Sequence, residues 1–462
     1  MIQDHLPQEP RGFLSDKSTY GVFNQLWKIT IPLMLATLSG SLMMFVDRLF
    51  LAHYSTAAMN AATSTGMTFA IFQFGAVSIA SIAEVFVGQF NGAKQFHKIG
   101  PSVWQMIWFA VATAPIFWVM ALFGEFFIAE ALLEEGLPFF QILMILGAGF
   151  PLFSALSAFF IGRGQAGVIT IAVIMSGLLN AALDYVLIFG WGPFPEMGTA
   201  GAALATGLAQ WAGVLFLFTI FYSETHRKQY ATDERGFDKG LFLNCLQIGT
   251  PNALGHMLVI GGWALMLNML SRVSFEHMTV FAVGQSIWIL TNFATDGGNK
   301  GATALTANLI GEKQLDQIGT VLKAGVLLHC CLVIVAALPL LWMPEVLVSW
   351  FLPTTEDTAL MAMCVEACRW VWVAFFFDGL MWIVIGILIA GGDTRFVMLM
   401  STAAGWLFGL LPVYIFITLL GWGPPMTMFL VMIFTICGFI CFYARYRLGD
   451  WLKLQLTESV GG

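Results

Sequence analysis

The sequence predicts an all-α polytopic membrane protein, with twelve transmembrane helices in two six-helix bundles related by a pseudo-two-fold axis along the membrane normal. Three observations lead there. The first is composition: 58% of the 462 residues are hydrophobic and 10% charged, whereas soluble domains run about 45–50% apolar and about 25% charged. The second is continuity. The apolar runs are long and unbroken, unlike the roughly 10-residue alternating strands of an outer-membrane barrel. The third is an internal repeat at a fixed offset, described below. No polar stretch approaches the roughly 50 residues of a small soluble domain, so the work is done within the membrane.

Residues 1–28 are polar, and the run after them is long enough to span rather than to be a cleaved signal, so 1–28 is expected to be a cytoplasmic N-terminal segment. Six runs follow, at about 29–52, 62–89, 101–123, 138–161, 168–191 and 198–222, forming an N-terminal lobe over 29–222. The polar stretch 223–240, SETHRKQYATDERGFDKG, is the cytoplasmic linker. The next runs, at about 241–268, 278–309, 320–343, 358–390, 396–420 and 425–444, form a C-terminal lobe over 241–447, and 448–462 is a cytoplasmic tail. With both termini on one side, that side collects 16 of the 20 Lys and Arg, which makes it the cytoplasmic side. Adding or removing one span would reverse every later loop and destroy the bias.

The repeat appears when VGQFNGAKQFHKIG (87–100) is laid on TANLIGEKQLDQIG (306–319), an offset of 219. The same offset places Ile29 and Pro32 on Ile248 and Pro251. Six being even, the halves enter the membrane in one orientation, an architecture suited to rocking about a central cavity. The seven cysteines lie within apolar runs without paired loop positions or Cys/His zinc spacing, and read as packing residues.

An ionisable group inside a span is costly and needs a partner or a task. Asp47 lies near the end of the first run, Asn180 and Asp184 sit four apart in the fifth, and Thr206 lies in the sixth. Were these three helices to converge, two carboxylates, an amide oxygen and a hydroxyl would meet, a hard-oxygen set suited to a small cation or a proton. The bland alternative is a polar cluster that fixes helix packing. Asp378, beside Phe377 and close to Trp382, is expected to line a substrate cavity for cationic compounds, or else to bond a neighbouring helix. Asp296 with Lys300, and Glu366 with Arg369, are spaced to close ion pairs, with structural or coupling roles. Glu84 and His256 stand alone in the second and seventh runs.

Residues 180–206, with N-x-x-x-D-Y, L-I-F-G and M-G-x-x-G-A-A-L-A-T, closely resemble the multidrug and toxic compound extrusion (MATE) transporters. IPLML with Asp47 downstream, VGQFNGAK, and GILIAGGDTRF at 386–396 add to the likeness, which runs the length of the chain. The resemblance implies an antiporter in which H⁺ or Na⁺, held at Asp47, Asn180, Asp184 and Thr206, drives export of amphipathic, often cationic organic compounds. It implies no cofactor beyond that ion, no nucleic acid, a monomer among membrane lipid, and a multi-pass place in a bacterial inner membrane. The family's tenth-helix acid matches Asp378. One branch has a seventh-helix Glu where this chain has Val259, and the Arg-Gly of the tenth-helix motif is Ile389-Ala390 here, which moves the expected coupling site to the N-terminal lobe. The repeat agrees, since Asp47 falls on Met266. A lipid-linked oligosaccharide flippase of the same superfamily is the alternative, and would call for a more basic cavity. An enzyme is not expected, for there is no H-E-x-x-H, G-x-S-x-G or Walker loop; nor is a channel, for want of repeated polar rings.

Overall fold

The computed structural model describes residues 19–128, 130, 133–351, 358–449 and 451. Among these residues the protein is helical throughout, without a strand. A first group contains α1 (Thr19–Tyr54), α2 (Thr56–Ala80), α3 (Ala83–Gly92), α4 (Ile99–Leu122), α5 (Leu133–Leu146), α6 (Gly149–Gly162), α7 (Ala166–Phe189) and α8 (Gly198–Phe221). The short α9 (Glu224–Tyr230) leads to a second group: α10 (Lys239–Val273), α11 (Phe275–Gly311), α12 (Ile318–Ala337), α13 (Pro344–Phe351), α14 (Thr358–Ala390), α15 (Thr394–Ala404) and α16 (Met426–Leu448). Wider π-type turns extend α12 through Leu338–Trp342 and α15 through Gly405–Leu410 and Val413–Leu419.

Each apolar run has become a helix, with informative differences. The first helix begins at Thr19, not 29, because Val22, Leu26 and Ile29 bury one face at helical spacing although Asn24, Gln25 and Lys28 lower the local hydropathy. The 62–89 run breaks at Ser81–Ile82 into α2 and α3, and the 138–161 run breaks between α5 and α6. Nine described helices are long and apolar enough to cross a membrane, or ten if the bent α5–α6 pair is one span. The sequence reading of twelve is therefore higher. The long α10 and α11 fall outside the nine, and both carry polar groups in mid-helix, Asn252 and His256 in one, Asp296, Asn299 and Lys300 in the other. The tail 452–462 lies outside the described residues.

Within the first group α7 lies against α1 and α8, and α2 against α5 and α6; within the second, α14 is the central helix, packed on α11, α12 and α16. The groups meet through α3 and α1 against α11, and α2 against α10. Their contacts gather at the end nearer the linker. A methyl built at Gly88 would fall 2.6 Å from the Ala307 methyl, and one at Gly92 or Gly311 would overlap the backbone oxygen of Asn308 or Gln89 respectively. At the offset of 219, Gly88 is the counterpart of Ala307, Gly92 of Gly311, and Gln89 of Asn308. The contacts are thus reciprocal, and a local two-fold axis passes between Gly88 and Ala307. Lys94 and Lys313, also counterparts, share the same left-handed turn at φ 58°.

Polar bonds reinforce this seal. Asn308 Nδ2 donates to the carbonyl oxygens of Gly162 (2.6 Å) and Ala304 (2.8 Å), and its Oδ1 accepts from Asn91 Nδ2 at 2.6 Å. Gln89 Nε2 donates to the Ala390 carbonyl at 2.8 Å, just before a turn that Arg445 anchors through Asp393 at 2.8 Å.

The 223–240 segment is more than a tether. Trp104 Nε1 donates to Thr232 O (2.8 Å), Trp108 Nε1 to Arg235 O (3.1 Å) and Gln105 Nε2 to Gly236 O (3.0 Å), while Gln105 Oε1 accepts from Asp238 N (3.1 Å). The Arg163 guanidinium lies 3.9 Å from the Tyr230 ring centroid and 4.4 Å from that of Phe159. These contacts fasten the segment to the first group, and α10 starts only afterwards, its first turn capped by Asp238 Oδ1 accepting from Leu241 N at 3.0 Å.

Candidate functional site

The structure brings Asp47, Asn180, Asp184 and Thr206 together. α1 and α8 each pack on α7, and the four-residue spacing of Asn180 and Asp184 aims both inward, where neither is exposed at all (0%). Thr206 Oγ1 donates to Asp47 Oδ2 at 3.2 Å and accepts from Asn180 Nδ2 at 3.5 Å. The Asp47 and Asp184 carboxyl groups lie within hydrogen-bonding reach of each other. Two carboxylates side by side repel unless a proton or a metal cation lies between them. Asp47 Oδ1, Asn180 Oδ1 and both oxygens of Asp184 are buried without a donor. Such oxygens are expensive to leave unsatisfied, and an anionic, acceptor-only lining fits a proton or a small hard cation.

The second group does not copy this site. Met266, counterpart of Asp47, is 3% exposed in an apolar cluster with Trp263 and Phe281 beside it. Asp378 is 3% exposed, enclosed on a helix packed by three others, with the Trp382 side chain as its polar neighbour. In this structure the Asp378 side chain is thus closed off within the packing around α14. Phe377 packs on Phe439 of α16 with ring centroids 6.3 Å apart, and Trp382 on His256 at 6.0 Å.

Asp296 and Lys300 do pair, at 2.8 Å between Oδ2 and Nζ. Glu366 and Arg369 do not close an ion pair among the described residues. Arg369 points out to an exposed position, and both line a recess of about 710 Å³ between α13 and α14. No group of three or more His, Cys, Asp or Glu among the described residues is placed to hold a metal. What sequence reasoning missed is the seam itself, Asn308, Gln89 and the small residues around them; the 87–100/306–319 repeat was the signal for it.

A family description, MatE, matches residues 32–186 and 251–415, most of the chain. The chain belongs to the MatE family. A probable multidrug resistance protein, NorM, from Thermotoga maritima is 23% identical over 74% of this chain and 75% of its own length. The uncharacterized transporter YisQ of Bacillus subtilis is 24% identical over 88% of this chain and 89% of its own. Among solved structures, an outward-facing MATE multidrug-resistance transporter of the MOP superfamily superposes with a TM-score of 0.82 at 16% identity, covering 96% of this chain and 98% of that one. A MOP-superfamily transporter from Pyrococcus furiosus, described as having a binding pocket of reverse polarity, gives 0.80 at 15% identity over 97% and 99%. MatE homologues of this kind support an efflux transporter function, in a multi-pass membrane protein that handles small organic compounds.

Proposed function

We propose that this MatE protein exports amphipathic, often cationic organic compounds by antiport against H⁺ or Na⁺, the ion binding at Asp47, Asn180, Asp184 and Thr206. The observation that carries the reading is the set of four buried oxygens without donors, three of them from two adjoining carboxyl groups. An antiporter must bind its driving ion differently in its two states, and a site whose oxygens are unsatisfied without the ion supplies that difference. Ion loading repacks α1 against α7 and biases the lobes, while compound binding favours release of the ion.

The 16-of-20 basic bias supports twelve crossings with both termini and the 223–240 segment in the cytoplasm; the family likeness extends this reading to a monomer in a bacterial inner membrane. The flippase reading is not favoured by the comparisons. Asp47→Asn and Asp184→Asn in proteoliposomes under imposed pH or Na⁺ gradients test the proposal. Both variants should stay folded and bind compound, yet lose gradient-driven export. Full export by both would overturn it.

A further inference from the structure

The coupling cluster leaves one intramembrane ion pair unexplained. Lys300 Nζ and Thr37 Oγ1 both go to the same oxygen of Asp296, Oδ2, at 2.8 and 3.0 Å. Thr37 belongs to α1 and reaches across from the other lobe. Asp296 Oδ1 is left over. His256 lies within electrostatic reach of the pair, and so does Glu84. Nonetheless 40% of the Asp296 side chain and 41% of that of Lys300 are accessible. Groups that bridge two lobes and still touch open space border a space between those lobes, not the lipid.

One wall of that space is aromatic. His256 of α10 meets Trp382 of α14 edge to face at 6.0 Å, and Asn299 Nδ2 holds the Trp382 carbonyl at 2.9 Å, one residue from Lys300. A carboxylate oxygen left over within reach of an aromatic pair is the chemistry that binds an organic cation.

Lys300 already occupies half of that carboxylate, but it has a second acid available. α3 and α11 touch where Gly88 meets Ala304 and Ala307. One turn back on each helix sets Glu84 opposite Lys300. Glu84 is 6% exposed, and its Oε1 is buried with no donor.

We propose that Asp296 is the acid that recognises the cationic group of the exported compound, and that Lys300 is its built-in competitor. An arriving organic cation takes Asp296, and the flexible Lys300 side chain swings to Glu84, so that each acid keeps one cation. This rests on the efflux reading above, and replaces Asp378 by Asp296 as the recognition acid.

The test is equilibrium binding of tetraphenylphosphonium and of its neutral relative triphenylphosphine oxide to the purified, monodisperse full-length transporter. Asp296→Asn should weaken the cation about tenfold or more and move the neutral probe by less than about twofold. Lys300→Gln should tighten the cation about threefold or more, since the competitor is gone, and leave the neutral probe unmoved. Glu84→Gln should weaken the cation alone, because Lys300 then has nowhere to go. Unchanged cation binding in Asp296→Asn, or loss of both probes in Lys300→Gln as for a structural pair, would overturn the assignment while leaving the efflux reading intact. Wild-type protein that binds neither probe would overturn the efflux reading itself.

Discussion

In the proposed ion site Asn180 is the neutral ligand, its Oδ1 buried without a donor while its Nδ2 donates to Thr206. A proton needs one carboxylate, whereas Na⁺ needs several oxygens. Asn180→Ala should therefore lower Na⁺ affinity about tenfold and proton binding hardly at all, measured by isothermal titration at fixed pH and by pH titration without Na⁺. Equal losses would mean that Asn180 acts only by holding helices together. The acids of this cluster were legible in the sequence because a charge in an apolar run stands out against its cost. What the sequence could not show is which face of a helix packs. Asp378 was expected beside a cavity from its aromatic neighbours and is buried in this structure, while Asp296 was expected to pair with Lys300 and does so through one oxygen, Oδ2. Spacing tells that two residues are neighbours; it does not tell which atom they share.

Among the elements, α3 and α11 approach as closely as backbones can, and only glycine allows it at positions 92 and 311. Gly92→Val or Gly311→Val puts a side chain into the opposing backbone oxygen, and a rigid β-branched group cannot turn away. Each variant should fold, since both glycines lie where the lobes meet, and should lose most export because the linker end cannot close; thiol labelling from the cytoplasmic side at a cysteine in the seam should rise. The repeat made the equivalence of these glycines readable, but not that equivalent segments would meet on the axis, since an offset carries no distance. The polarity of 223–240 marked it as a linker but not as a docked one, because backbone carbonyls captured by Trp104, Gln105 and Trp108 leave no mark in a composition. Its clamp brings a pH dependence. Burial, and then the Arg163 guanidinium, hold His226 below its usual value, so docked α9 prefers the neutral ring. Docking is complete above the ordinary imidazole pKa of about 6.5 and weakens as pH falls from there through the lowered value. Tryptic cleavage at Arg227 and Lys228 should thus accelerate between about pH 7.5 and 5.5, and His226→Gln should flatten that response.

At the scale of the whole molecule, bonds that join the lobes among the described residues run from mid-helix, at Thr37–Asp296, to the linker end, at Asn91–Asn308 and Gln89–Ala390. A transporter closed there and parted beyond is one of the two states that rocking requires. The seam combines registry with apolar burial: small residues, backbone oxygens and amides fix the register, while one buried cluster joins Leu26, Phe86 and Phe90 of the first group to Leu305, Leu309 and Val384 of the second, area that must part when the lobes rock. If the lobes rock, fixing this seam must stop transport without touching the ion site or the compound site. In a variant with the seven native cysteines replaced, Asn91→Cys and Asn308→Cys place two thiols where two amides now bond at 2.6 Å between Nδ2 and Oδ1. A short, cleavable thiol cross-linker should join them, abolish export, and leave tetraphenylphosphonium binding within about twofold; cleaving the linker should restore export. Either single cysteine should transport normally with or without the reagent, which removes labelling itself as a cause. Undiminished export by the cross-linked protein would show that the lobes do not part at this seam, and alternating access through it would have to be abandoned.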